Sequence, residues 1–314
     1  MLHSANGVLS IFVIVLAGFL ASKFGFITEE LERSLVRLSL VTAIPALVFY
    51  NTTAQLSAGF ITEKLRLFIF LPAVSILFAY ALARALARVI RLPPAHHGAM
   101  SVLFSMSNTM FIGLPLCAAI FGEWTTPYIM SFLLSNTVVF WTLGNLSMAG
   151  VPLSDARGHL GWKQLAANVM PPLSGFLVGL PVALLGVPIP DFFMSAARML
   201  GGMATPVVLL IVGGVLSRMK KPRITKTVAA ALLGRYIVTP LITFAMCRFT
   251  GAPNEVVVVF TFAAAMPVMN QAVMVARKYD NCVEEVTQAF ALSVLGSLAV
   301  VPLLAFILGR AAPV

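Results

Sequence analysis

Residues 104–115 read Phe-Ser-Met-Ser-Asn-Thr-Met-Phe-Ile-Gly-Leu-Pro, inside an apolar run, Gly98 to Gly122, that is long enough to cross a bilayer. Unsatisfied polar groups in hydrocarbon are costly, so such a segment persists only where protein or water supplies partners. A lone Asn there is typical of an ordinary interhelical hydrogen bond, but a cluster followed by Gly and Pro favours a binding site on an interrupted helix. The residues of this predicted site are Ser107, Asn108, Thr109 and Gly113, with Pro115 as a predicted helix break.

A second interruption is predicted at Pro267, which removes a backbone donor and clashes with the preceding helical turn. Met266 precedes it, and Asn270 and Gln271 place two amides just beyond it. The alternative is a simple proline kink relieved by neighbouring helices. Because the chain has two such polar breaks, we predict that the N-termini of both second half-helices face an anionic group near the bilayer midplane.

The composition defines the class of protein. The 314 residues are 60% apolar and only 10% charged, with a mean hydropathy of +0.97. Soluble domains carry about 25% charged residues, so the sequence predicts a polytopic membrane protein. The net charge of +10 does not indicate nucleic-acid binding, because basic residues of membrane proteins set their orientation. No nucleotide loop, catalytic triad or metal-ligand spacing is present in the sequence, so we expect neither an enzyme nor a metal or other cofactor.

Ten hydrophobic spans divide the sequence, each near the roughly 20 residues that a membrane helix needs. The short loops between them predict a single transmembrane domain over residues 1–314. The spans are 7–25, 35–52, 65–84, 98–121, 126–148, 168–187, 195–217, 228–249, 255–276 and 286–309.

Lys and Arg predict the orientation. Fifteen of the 21 fall in loops that follow odd-numbered spans, five fall on the opposite side, and Arg235 lies within the eighth span. Because cytoplasmic loops carry an excess of basic residues, we predict a multi-pass protein of the cell (inner) membrane with both termini outside.

Spans that are five apart in sequence resemble each other. Ala43–Val48 matches Ala204–Leu209, with Pro45 and Pro206 as corresponding predicted helix breaks, and Met106–Ser107 matches Met266–Pro267 at nearly the same offset. An odd number of spans per repeat inverts one half relative to the other. We therefore predict two inverted five-helix repeats, 1–150 and 165–314, which are typical of secondary transporters.

Charged residues within the spans are scarce. The acidic residues and the four histidines lie in or beside loops, so the sequence offers no proton relay within the membrane. The transport mechanisms that remain are facilitated diffusion and coupling to Na⁺ held by backbone carbonyls and hydroxyl groups. Arg235 is interpreted as snorkelling to the cytoplasmic face, the alternative being that it offers charge to an anionic substrate. Asn136 in the fifth span is a candidate lining residue or an interhelical hydrogen bond.

The motifs resemble the auxin efflux carrier family. Ser107–Leu116 resembles the family's Pro-Asn-Thr then Gly-Ile-Pro-Leu pattern in the fourth span, and Met266-Pro267 with Val275–Tyr279 resembles its ninth span. Ser107 replaces the first crossover proline and Val268 replaces the Gln of plant members. The long cytoplasmic loop of the plant carriers is absent, which is typical of a compact bacterial member.

The resemblance implies an all-α membrane fold like that of the sodium/proton and bile acid transporters, in which the fourth and ninth helices are broken and cross. Helices 1, 2, 6 and 7 would form a scaffold and homodimer contact, and helices 3–5 and 8–10 a transport bundle. Asn108 and Thr109 would bind substrate at one crossover, with Pro267 marking the other.

These predictions together describe a secondary carrier of a small organic anion, such as malonate, malate or an auxin-like weak acid, that works by an elevator mechanism. The alternatives are a non-transporting membrane receptor or regulatory module on the same fold, and a Na⁺-coupled antiporter. The expected partners are the substrate, the lipid bilayer and a second copy of the chain, with no nucleic acid.

Overall fold

The computed structural model describes residues 2–55, 58–150, 162–218 and 223–309, and this part of the chain is predominantly helical. The α-helices of the N-terminal half are α1 (Leu2–Lys23), α2 (Glu29–Leu38), α3 (Ile44–Gln55), α4 (Ala58–Val89), α5 (Pro94–Ser105), α6 (Leu114–Phe121), α7 (Thr126–Val139) and α8 (Asn145–Met148). Those of the C-terminal half are α9 (Trp162–Leu185), α10 (Asp191–Gly202), α11 (Ala204–Ser217), α12 (Lys226–Leu233), α13 (Thr239–Phe249), α14 (Asn254–Ala264), α15 (Asn270–Tyr279) and α16 (Val283–Gly309).

Four π-helical turns lie within or between these described helices: Ser39–Ala43, Thr109–Gly113, Phe140–Gly144 and Gly234–Val238. A π-helical turn adds a residue to the helical repeat, so the side chains that follow it face a different direction from the one that the α-helical period predicts. Each of the four turns continues directly into an α-helix.

Four helical segments of the described chain are long and apolar enough to cross a membrane: Phe70–Val89, Thr126–Met148, Lys226–Phe249 and Val283–Gly309. Shorter apolar helices cover Val13–Lys23, Ser174–Leu185 and Asn254–Ala264. The fourth and ninth predicted spans are each divided between shorter helices. The protein is therefore a helical membrane protein, and its ten-span, inverted-repeat arrangement stays a prediction.

The chain forms two compact units, and each combines separate stretches of the sequence. The first unit contains residues 1–5, 68–165 and 219–314, and the second contains residues 6–67 and 166–218.

Small residues bring the helices of the first unit close together. Ala79, Ala83 and Ala87 recur every fourth residue along one face of α4 and pack with Met100 and Phe104 of α5 in a buried cluster. A spacing of four places these alanines in one row, so the helix presents a shallow face to its neighbour.

Glycines do the same in the second unit. A Cβ at Gly175 of α9 would lie 2.0 Å from the carbonyl oxygen of Pro45, and a Cβ at Gly213 of α11 would lie 2.0 Å from that of Val15. These helix pairs therefore touch backbone to backbone, which is the role that small residues have in membrane helix packing.

Candidate functional site

The helical run of residues 94–121 is interrupted at residues 106–108. Helix α5 ends at Ser105, Met106 adopts an extended conformation (φ −107°, ψ 123°), and the chain becomes helical again at the π-helical turn Thr109–Gly113. Ser105 donates its hydroxyl hydrogen to the carbonyl of Ser101 at 2.7 Å, a back-bond that competes with the regular helix. The hydroxyl groups of Ser107 and Thr109 lie 2.8 Å apart across the break.

A second interruption covers residues 265–269. Helix α14 ends at Ala264 and α15 begins at Asn270, with Pro267 in the non-helical segment between them. Proline has no backbone N–H, so the segment carries one donor fewer to satisfy in a buried position. Met266 and Val268 are fully buried.

These two interruptions, hereafter the paired breaks (residues 106–108 and 265–269), lie against each other. Ser107 and Val268 form an isolated antiparallel β-bridge. The backbone N–H of Asn108 donates to the carbonyl of Pro267 at 2.7 Å. Each break therefore supplies hydrogen-bonding partners that the other has lost by leaving the helix.

One polar side chain from a neighbouring helix, α7 for the first break and α16 for the second, holds the backbone of each break. Asn136 on α7 donates from Nδ2 to the carbonyl of Ser107 at 2.8 Å and accepts at Oδ1 from the Ser107 N–H at 3.3 Å. Ser293 on α16 accepts from the Val268 N–H at 3.0 Å and donates to the carbonyl of Phe290 at 2.7 Å. The Asn136 amide thus holds the backbone of the break, which corresponds to the interhelical role rather than the lining role.

The polar residues around the paired breaks are shielded from solvent. Ser107, Asn108 and Thr109 are at most 2% exposed, and Gln271 is 5% exposed. Gly113 leaves room for Met266, since a Cβ at Gly113 would lie 3.1 Å from the Met266 Cγ atom. The structure therefore brings together the site residues that the sequence predicts in both halves of the chain.

Three side chains beside the breaks keep polar atoms without a protein hydrogen-bond partner. They are Oδ1 of Asn270, Oε1 of Gln271, and Nε and Nη1 of Arg235. A buried polar atom without a partner is costly, and such atoms in a folded protein indicate ligand, water or function. The guanidinium offers two hydrogen-bond donors to an anion, whereas the two unpartnered amide oxygens are acceptors.

Arg235 does not snorkel, which corrects the prediction from its sequence position. The residue is fully buried on the π-helical turn Gly234–Val238, and its Nη2 donates to the carbonyl of Ala264 at 2.5 Å. That carbonyl is the last of α14, immediately before the second break. The guanidinium therefore turns inward because the half-helix end offers an acceptor within the protein.

The four prolines predicted as helix breaks lie in different structural positions. Pro115 lies in the first turn of α6, where the missing N–H is not needed, and the interruption occurs earlier, at residues 106–108. Pro45 lies in the first turn of α3, directly after the π-helical turn Ser39–Ala43. Pro206 lies in the first turn of α11, and Met203, three residues earlier, separates this helix from α10. Pro267 lies within an actual break.

Sequence reasoning missed Ser293 and Tyr236. The Tyr236 hydroxyl donates to the Ser293 carbonyl, and Ser293 in turn holds Val268. The signal for Ser293 in the sequence was weak, because a single serine in an apolar helix most often bonds within its own helix.

Charge is nearly absent from the buried part of the described chain, where Arg235 alone is charged. In the same described residues no group of three or more His, Cys, Asp or Glu side chains could hold a metal ion. The site therefore consists of hydroxyls, amides, backbone groups and one guanidinium.

Two discontinuous helices that meet in a buried polar site are typical of membrane carriers. The profile of the family described as "Membrane transport protein" matches residues 3–154 and 160–305, so the chain belongs to this family, the auxin efflux carrier family. The resemblance predicted from the motifs is confirmed.

Archaeal proteins are similar over almost their full length. An uncharacterized transporter of Methanocaldococcus jannaschii is 23% identical over 308 residues, covering 96% of this chain and 97% of that protein. An uncharacterized transporter of Methanothermobacter thermautotrophicus is 27% identical over 313 residues, covering 97% and 98%. The family and these relatives identify a membrane transporter.

Proposed function

We propose that this protein is a secondary carrier of a small organic anion, a carboxylate such as malonate or malate or an auxin-like weak acid. The observation that carries the proposal is the hydrogen bond from the Asn108 N–H to the Pro267 carbonyl, which joins the paired breaks. Irregular backbone at membrane depth is tolerated where it is buried in protein or lines a cavity, and in carriers it forms the substrate site.

The chemistry of the paired breaks favours an anion. The half-helices that begin at Thr109 and Asn270 start at the breaks, and each helix N-terminus carries about half a positive charge. Arg235 adds a full positive charge, and its Nε and Nη1 donors have no protein acceptor. No buried carboxylate in the described residues competes with the ligand.

The division of the chain supports an elevator mechanism. The paired breaks lie entirely in the first unit, and the second unit combines two stretches that are distant in sequence. In this proposal the first unit is the transport bundle, which carries the bound anion, and the second is the scaffold, which also forms a homodimer. The crossed helices and inverted repeats predicted from the sequence are part of the same proposal.

Uptake by the purified protein in liposomes tests the proposal. We expect saturable uptake of radiolabelled malonate, malate or indole-3-acetate that is absent from empty liposomes and is not inhibited by neutral malonamide. Asn108→Ala is expected to lower uptake roughly tenfold or more, because the variant loses a polar group at the site. Asn254→Ala is the matched control, because Asn254 is exposed and bonds Arg248.

Three outcomes would contradict parts of the proposal. Unchanged uptake by a well-folded Asn108→Ala protein would remove the site assignment. Stabilisation by carboxylates without any flux would indicate a receptor. Exchange of Na⁺ or H⁺ that needs no organic solute would indicate an antiporter.

A further inference from the structure

Arg235 lies where a carrier of this kind would bind a coupling cation. In transporters with discontinuous helices, the C-terminal carbonyl ends of half-helices coordinate Na⁺ or H⁺. Here the Arg235 Nη2 donates to the carbonyl of Ala264, the last residue of the half-helix α14. The acceptor that an ion would use is therefore already occupied by a guanidinium.

The carbonyl end of the other half-helix borders the same π-helical turn. Thr239, which follows Gly234–Val238, donates its hydroxyl hydrogen to the carbonyl of Phe104 near the end of α5 at 2.8 Å. A Cβ at Gly234 would overlap the Phe104 ring, so the turn and α5 are in tight contact. Each helix C-terminus carries about half a negative charge, so two ends together offset about one positive charge.

No buried acidic side chain among the described residues balances this arginine. Within the described residues the buried set contains no Asp or Glu, and Nε and Nη1 of Arg235 have no protein acceptor. Arginine stays protonated in proteins, so the positive charge is permanent. A second cation at the same carbonyl end would be repelled, whereas an anion would be attracted.

We infer that Arg235 is a built-in cation that pairs with the substrate anion and replaces a co-bound Na⁺, so that binding and transport need no added cation. This inference rests on the proposed transport of an organic anion for its substrate. The arrangement of the guanidinium at the end of α14 does not depend on that proposal.

The wild-type protein provides the first test. Carboxylate uptake should change less than twofold when NaCl is replaced with choline chloride on both sides of the liposome membrane. A tenfold or greater loss without Na⁺ would overturn the inference while leaving anion transport established.

Removal of the guanidinium provides the second test. Arg235→Ala should lower uptake roughly tenfold or more. Guanidinium chloride at about 10 mM should bind in place of the missing side chain and raise the melting temperature of this variant by a few degrees, compared with the same concentration of choline chloride. A ligand that binds only the folded state stabilises it. Arg248→Ala is the matched control, since Arg248 is exposed on α13 and should gain nothing from guanidinium.

Arg235→Lys keeps the charge and covers the case in which the alanine variant does not fold. We expect it to retain Na⁺-independent uptake that is several-fold weaker, because an ammonium group lacks the forked donors of guanidinium. A folded Arg235→Ala protein with normal Na⁺-independent uptake and no response to guanidinium would overturn the inference. Rescue by guanidinium in a protein that moves no carboxylate would support the built-in cation and refute only the proposed substrate.

Discussion

The backbone N–H of Asn108 donates a hydrogen bond of 2.7 Å to the carbonyl of Pro267, although the two residues lie in opposite halves of the sequence. Both residues are buried outside regular helix, where an unpaired backbone group would be costly. The two breaks therefore depend on each other for part of their backbone hydrogen bonding.

Asn136→Ala should destabilise the protein by about 1–3 kcal/mol, because it leaves the buried N–H of Ser107 without its acceptor. The Ser107 carbonyl loses the Asn136 amide but keeps the hydrogen bond from the Thr109 N–H at 2.8 Å. Thermal unfolding in detergent, followed by tryptophan fluorescence, would measure the effect. Asn254→Ala removes an exposed amide and should change the stability by less than about 0.5 kcal/mol. Equal stability of the two variants would show that the Asn136 contacts contribute nothing.

Ser293→Ala should cost about 1–3 kcal/mol, because the Val268 N–H loses its acceptor. Ser297→Ala is an internal control on the same helix. Its hydroxyl is also buried but bonds only the carbonyl of Val294, which keeps its helical partners. Chemical denaturation of both variants checks the difference, and a larger loss for Ser297→Ala would contradict the role of Ser293.

The residues that deviate most from their apolar surroundings were the most predictable. Polar side chains around Asn108 and a proline at 267 do not suit an uninterrupted membrane helix, so their clustering indicated a site. The family that those motifs predicted is confirmed by the match over residues 3–154 and 160–305. Sequence alone did not distinguish a proline that breaks a helix from one that begins it, as at Pro115.

The direction of a side chain around a helix was much less predictable. Arg235 lies on a π-helical turn, which shifts the facing of every later residue, and its nearest acceptor belongs to a helix about 30 residues further on. The role of Ser293 depends on Val268, 25 residues earlier. Such contacts depend on tertiary packing, and the hydrophobic periodicity of the sequence contains no information about them.

Gly201→Ala should destabilise the second unit, because the new methyl group would lie 2.7 Å from the Leu47 Cα atom. Backbone atoms cannot move aside as the end of a flexible side chain can, so α10 and α3 would have to move apart. We expect this to lower the free energy of unfolding by about 1–3 kcal/mol. Gly202→Ala adds the same group at the next residue, where nothing lies within 4 Å, and should be neutral or stabilising by up to about 1 kcal/mol. Melting temperatures of the two variants provide the measurement, and similar values would contradict the close contact.

Cys282 should react slowly with alkylating reagents at neutral pH. Burial and, as the smaller cause, the negative charge of Glu285 together raise the pKa of its thiol to about 11. Because the thiolate is the reactive form, the alkylation rate by iodoacetamide should rise about tenfold per pH unit from pH 7 to pH 10. The rate is measured by mass spectrometry in a protein whose buried cysteines, Cys117 and Cys247, are replaced with alanine.

The neighbouring acids separate the two causes of the slow reaction of Cys282. Glu285→Gln removes a negative charge that disfavours the thiolate, so it should lower the pKa and increase the rate at pH 8 several-fold. Glu284→Gln is the matched control, since Glu284 is exposed and accepts a hydrogen bond from Gln288. An alkylation rate that levels off below pH 9 would show that the Cys282 thiol is more acidic than its half-buried position allows. Equal alkylation rates in Glu285→Gln and Glu284→Gln would assign the raised pKa to burial alone.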